Sequence, residues 1–176
     1  MATQKKARLK ILVLNGPNLD LLGKREPDIY GRDTLKDIEK KVKDYAKDLS
    51  LAVNMDIGVD FRQSNSEADL IGWIGHSTGK FDGIIFNPAG FTHTSVGLLD
   101  ANKAVGGSHA TAVPCVEVHL SNTMAREKFR QKNLTAAACI GQVMGFQSTS
   151  YVLALEALVD HIIRIRNAPG ASCCDA

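Results

Sequence analysis

Residues 9–14 are apolar apart from Lys10, rich in branched side chains, and closed by Asn15-Gly16-Pro17. A short run that is apolar at successive positions suits a strand covered on both faces of a parallel sheet. It is expected to be the first and central strand. From Thr34 the period changes: Leu35, Ile38, Val42, Tyr45 and Leu49 recur three and four apart between charged residues. That spacing gathers them on one face of a helix, started by Asp33 or Thr34 as the cap. Residues 51–61 read as a strand, 66–78 as a helix, 83–86 as a short strand and 94–105 as a helix. Residues 112–118 and 134–143 supply two further strand-like runs, and Tyr151, Leu155, Leu158, Ile162 and Ile165 mark a long closing helix.

Five strands alternating with helices predict a single-domain α/β fold, a three-layer sandwich with helices on both faces of a five-stranded parallel sheet. The number of strands and the short connections favour the flavodoxin-like strand order, with a Rossmann-like order as the alternative. Residues 1–168 are read as one catalytic domain and 169–176 as a disordered tail. A chain of 176 residues, 44% of them hydrophobic, buries one core and is too short for two ordinary domains.

Charge narrows the function. Net charge is +2, from 21 basic and 19 acidic residues mixed along the chain, so a nucleic-acid stripe is not expected. The basic start at residues 1–10 leads into an apolar run too short for a signal peptide, and no stretch approaches the roughly 20 apolar residues of a membrane span. A cytoplasmic protein is expected. Cys115 and Cys139 lie in apolar runs and read as buried thiols; Cys173 and Cys174 fall in the tail. No disulfide framework or zinc spacing is present.

In an open parallel sheet, ligands bind beyond the carboxyl ends of the strands. Here those ends carry Asn15-Gly16-Pro17-Asn18, Arg62-Gln63-Ser64-Asn65, Asn87-Pro88 and His119-Leu120-Ser121-Asn122. Each segment alone also fits turn or cap chemistry; four together point to a site. The chain has no Gly-x-Gly-x-x-Gly, no phosphate-loop motif, no His-Glu-x-x-His and no nucleophile elbow. General acid–base chemistry without metal or cofactor is the remaining expectation. Between Leu19 and Arg32 a glycine-punctuated polar segment reads as a lid. Within it, a guanidinium at Arg25 beside Tyr30 favours the phenolate; a surface arginine and a packed tyrosine fit the same residues.

The segment Ile11-Leu12-Val13-Leu14-Asn15-Gly16-Pro17-Asn18-Leu19, followed by Gly23-Lys24-Arg25-Glu26-Pro27-Asp28-Ile29-Tyr30-Gly31, resembles the type II 3-dehydroquinate dehydratases. So do Phe61-Arg62-Gln63-Ser64-Asn65, Asn87-Pro88-Ala89, Thr92-His93-Thr94-Ser95, Glu117-Val118-His119-Leu120-Ser121-Asn122 and the stretch from Ala125 to Arg130, in the family's order. The resemblance implies dehydration of 3-dehydroquinate to 3-dehydroshikimate by anti elimination through an enolate, in the shikimate pathway or in quinate breakdown. It also implies a flavodoxin-like fold and a homododecamer built of trimers. By resemblance, Tyr30 is the base, Arg25 keeps it ionised, and His119 is the acid with Glu117 supporting its imidazole. Asn18 matches the amide that holds a water against the enolate oxygen. Asn87, His93, Asp100 and Arg130 match substrate-binding positions, and the backbone amides of Leu120 and Ser121 match those that receive the substrate carboxylate.

Three features depart from that pattern: Ser66 where a histidine is common, Gly90-Phe91 for an alanine-aromatic pair, and an insertion at residues 106–111. Ser66 is read as a helix cap with Asp69 three residues on. His76, His109 and His161 receive no chemical role. Two other classes of reading remain, a ligand-binding module of flavodoxin type and a silent oligomeric scaffold.

Overall fold

A computed structural model of the chain describes residues 6–24, 29, 31–106 and 112–168. The strands are β1 (Arg8–Asn15), β2 (Asp56–Gln63), β3 (Gly83–Asn87), β4 (Cys115–His119) and β5 (Gly141–Met144). The helices are α1 (Leu35–Ala52), α2 (Glu67–Gly75), α3 (Val96–Gly106) and α4 (Thr149–Arg166). All four strand pairings are parallel and the order is β2-β1-β3-β4-β5, the flavodoxin-like order.

Strand β1 has two neighbours and two covered faces, as its unbroken apolar run requires. Leu9, Ile11 and Val13 join one core with Ile38 and Val42 of α1 and Leu155 and Leu158 of α4. Leu12 and Leu14, on the opposite pleat, join a second core with Leu70 and Ile74 of α2 and Leu98 and Val105 of α3. The side-chain period of two thus turns one strand into the wall between both cores. Among the described residues no helix is long and apolar enough to cross a membrane.

Helix α1 starts with a capping box: Thr34 Oγ1 accepts from Asp37 N at 3.2 Å, and Asp37 Oδ2 accepts from Thr34 N at 2.9 Å. Ser66 caps α2 by accepting from Asp69 N at 3.3 Å, which is the role expected of it.

The element boundaries correct the sequence reading at three places. Residues 51–52 belong to α1 and β2 begins only at Asp56. Leu49 and Val53 continue the buried helical face while Leu51 is 77% exposed; Asn54, at φ 53°, then turns the chain out of the helix. Residues 134–143 form a 3₁₀ turn (Thr135–Ala138) before β5, because Thr135 is tied by its hydroxyl to Glu117 and pairing starts only past Ile140. Ahead of α3 lies a 3₁₀ turn at Ala89–His93, with Ser95 Oγ capping the helix through Leu98 N at 2.8 Å.

Candidate active site

The carboxyl ends of β1, β3 and β4 open onto one cleft of about 190 Å³. Its wall beside β1 is Pro17-Asn18-Leu19; beside β3 it is Asn87, Ala89, Gly90 and His93; beside β4 it is His119-Leu120-Ser121, with Thr123, Arg126 and Arg130 closing the far side. The first two walls meet at close range. Gly16 N donates to Asn87 O at 2.7 Å, and a Cβ on Gly16 would lie 2.6 Å from Pro88 O, so only glycine fits there. Asn18 and Ala89 hold left-handed backbone, φ 64° and 51°, a conformation that costs energy in a non-glycine residue and recurs at functional sites. Gly90 is not forced by packing, since an added Cβ meets nothing within 4 Å.

His119 is 6% exposed at the floor of the cleft, and its Nε2 lies 2.7 Å from Glu117 Oε1. Because an ionised carboxylate only accepts, this bond puts the proton on Nε2 and leaves Nδ1 to the cleft. Glu117 is fully buried behind it. Burial pushes its carboxyl up, but the bonds from His119, Thr135 and Asn133 outweigh that and hold it below the ordinary range. Asn133 Nδ2 and Gln142 Nε2, the latter at 3.0 Å, also donate to Oε1, while Thr135 Oγ1 donates to Oε2 at 2.5 Å. The Thr92 hydroxyl lies 3.1 Å from Oε1 and 2.6 Å from Asn133 Oδ1. The result is a buried carboxylate kept ionised by donors from β4, β5 and the segment that precedes β5.

Other cleft side chains are oriented from behind. His93 Nδ1 lies 2.7 Å from the Lys132 carbonyl, so Nδ1 donates and Nε2 is the free acceptor. Arg130 Nε lies 3.1 Å from Glu127 Oε2 and Arg126 Nε 3.3 Å from the same oxygen. This side of the cleft thus carries two guanidinium groups, the kind of donor that suits an anionic substrate. Asn18 is held through its backbone, N to Asn65 Oδ1 at 2.8 Å; among the described residues its side-chain amide has no bond, so it is available to a ligand. Asn87 Nδ2 donates to the buried Tyr151 hydroxyl at 2.8 Å, which donates to Asn15 Oδ1 at 2.7 Å.

Of the residues singled out in the sequence, Asn18, Asn87, His93, His119, Leu120, Ser121 and Arg130 converge on this cleft, with Glu117 directly beneath. Arg25 and Tyr30 lie outside the described residues, as do His109, most of the 106–111 insertion and the tail with Cys173 and Cys174. Asp100 does not converge: it is exposed on α3 and does not line its own chain's cleft. Sequence reading passed over Arg126 and Thr92, although both sit inside quoted motifs, and gave no role to Asn133, Thr135 and Gln142, whose only signal is their proximity to Glu117 in space. Among the described residues no group of three or more His, Cys, Asp or Glu is placed to hold a metal ion.

The chain matches the sequence model described as dehydroquinase class II over residues 9–159. It is 48% identical over 164 residues to a 3-dehydroquinate dehydratase of Carboxydothermus hydrogenoformans, covering 93% of this chain and 98% of that protein. It is 49% identical over 148 residues to one of Rhizobium etli, covering 84% of this chain and 94% of that protein. The crystal structure of type II dehydroquinase from Butyrivibrio crossotus superposes with a TM-score of 0.78 at 35% identity, over 86% of this chain and 98% of that one. The matched span takes in every wall of the cleft, and the chain belongs to the class II dehydroquinase family.

Proposed function

We propose that this cleft performs the family's dehydration of 3-dehydroquinate to 3-dehydroshikimate by anti elimination through an enolate, with Tyr30 as base and His119 as acid. The Tyr30 phenolate, kept ionised by Arg25, takes a proton from the carbon beside the ketone. The electron pair moves onto the carbonyl oxygen, and a water held by Asn18 donates to that oxyanion. The pair then returns and expels the hydroxyl on the neighbouring carbon, which leaves as water with a proton from His119 Nδ1. The observation that carries the reading is the buried Glu117–His119 pair at 2.7 Å, opening onto a cleft with Asn18 on its opposite wall. Glu117 does no proton transfer itself. As a neighbouring anion it stabilises the imidazolium that donates, and it fixes which nitrogen faces the substrate.

Recognition of the substrate falls to Asn87, His93, Arg130 and the backbone amides of Leu120 and Ser121, the last two receiving the carboxylate. Asp100 joins them only from another copy of the chain, because in its own chain it is exposed on α3 away from the cleft. Such sharing requires copies of the chain to associate, and the homododecamer of trimers, a cytoplasmic location and a role in shikimate synthesis or quinate breakdown complete the reading. Proton-transfer groups contribute about 10²–10⁴-fold and an oxyanion donor about 10²–10³-fold, so these residues account for a useful rate without a cofactor.

The test is ultraviolet absorbance with 3-dehydroquinate in chelator-treated buffer. The conjugated enone should accumulate with the wild type and vanish with Tyr30→Phe, which keeps the ring but not the ionisable oxygen. Undiminished turnover in Tyr30→Phe refutes the base; no enone from folded wild type refutes the reaction.

A further inference from the structure

We propose that Tyr151 is a positioning residue for substrate recognition: together with the Ala89 amide, its hydroxyl holds the Asn87 amide so that an N–H, and not the carbonyl oxygen, faces an oxygen of the ligand. The inference rests on the reading of Asn87 as a substrate contact. Asn15 and Asn87 are register partners on β1 and β3, and the phenol of α4 bonds to both side chains. The polarity of the chain they form is dictated from its two ends. Ala89 N can only donate, and it lies 3.1 Å from an Asn87 amide atom, which must therefore be Oδ1. Nδ2 then meets the phenol oxygen at 2.8 Å. At the other end the Arg62 carbonyl can only accept, so Asn15 turns Nδ2 to it at 2.9 Å and Oδ1 to the phenol at 2.7 Å. Among the described residues the single phenol proton has one acceptor within reach, Asn15 Oδ1.

Every bond runs in one sense, from the Ala89 amide to the Arg62 carbonyl. Reversing Asn87 would set N–H against N–H at Ala89. It would also make Asn87 and Asn15 compete for one proton. Tyr151 and Asn15 are 0% exposed and Asn87 2%, so water does not relieve such a mismatch. Burial also pushes the phenol well up, which keeps its proton in place. Asn87 Nδ2 carries two N–H groups and spends one on Tyr151; the second is the donor it has left for the cleft it lines. A ligand hydroxyl at this wall is thereby received as an acceptor and must send its own proton elsewhere.

A tyrosine that merely filled the core, where its ring lies 6.3 Å from that of Phe61, would act on stability alone. Steady-state kinetics with 3-dehydroquinate on Tyr151→Phe, Asn87→Ala and the double variant separate the two. Tyr151→Phe should raise KM about tenfold with kcat within about twofold, the signature of lost ground-state binding. In the Asn87→Ala background the same change should add nothing. Additive losses, or an unchanged KM with a lowered Tm, overturn the proposal. An unaltered KM in Asn87→Ala removes Asn87 from recognition and this inference with it, while enone formation by the wild type independently upholds the reaction. Should Tyr151→Phe fail to fold, Asn15→Leu takes the acceptor from the phenol and should raise KM about threefold, again with no addition over Asn87→Ala; no rise would overturn the proposal.

Discussion

Two polar clusters underlie the cleft, and they differ in what they hold. Beneath β4 a charge is buried: Glu117, surrounded by donors from Thr135, Asn133, Gln142 and His119. Beneath β1 and β3 nothing is charged: Asn15, Tyr151 and Asn87 pass hydrogen bonds along a neutral chain. A buried carboxylate needs several donors to offset its desolvation and in return fixes the tautomer of the histidine beside it. A neutral chain needs only one donor for each acceptor, and sets direction instead of protonation. The cluster under β4 can thus respond to pH through Glu117, while the Asn15–Tyr151–Asn87 chain under β1 and β3 holds no group that titrates near neutrality.

The largest effect expected from breaking this division is His119→Ala, which should lower kcat by about 10²–10⁴-fold with an unaltered far-UV spectrum. A kcat within about twofold of wild type would leave the charged cluster without its chemical purpose. Next comes Thr135→Val, which keeps the shape and removes the one donor to Glu117 Oε2 among the described residues; a lost bond to a charged group should cost about 1.5–3 kcal/mol, read by denaturant unfolding. The sign of its pH dependence follows from Glu117. The folded carboxyl lies below its ordinary 4.5, so its stabilisation is complete above that value and lost as pH falls through the lower folded value. Removing a donor moves the folded value up, so the acid-side fall in Tm should begin at higher pH in Thr135→Val. Identical acid limbs would show that the hydroxyl does not hold the charge.

Tyr151→Phe should cost about 1–2 kcal/mol by leaving buried amide groups unpaired, with a loss that stays flat between about pH 5 and 8 because no group in the neutral chain titrates there. A pH-dependent loss would erase the contrast between the two clusters. The smallest effect should come from Thr34→Ala at the α1 cap, about 0.5–1 kcal/mol of stability with kcat/KM unchanged, and it calibrates how far stability alone moves activity.

The two clusters also differ in how far the sequence revealed them. Glu117 and His119 stand two residues apart on one strand, so alternation puts both side chains on the same face and the pair is legible at once. The residues around them, Thr92 before α3, Asn133 and Thr135 in the segment before β5, and Gln142 on β5, are distant in sequence from Glu117, and no local spacing links them to it. Tyr151 was legible only as an apolar position on the face of a closing helix; its hydroxyl meets Asn15 across 136 residues. The same limit explains the misplaced start of β2, where Leu51 is apolar yet exposed, and the 3₁₀ turn inside the apolar run at residues 134–143.

The sequence by itself determined the alternation of strands and helices, the central burial of β1, a cap at Asp33 or Thr34, the cap at Ser66, and the polar residues that end each strand. These follow from spacing of two to four residues, where chain geometry leaves little freedom. Tertiary structure alone decided the strand order, the convergence of three strand ends on one cleft, the ionised state of Glu117 and the orientation of the Asn87 amide. Each of those depends on which donors arrive from distant segments in a buried environment, and there a single misplaced hydrogen-bond partner costs as much as the local preferences supply.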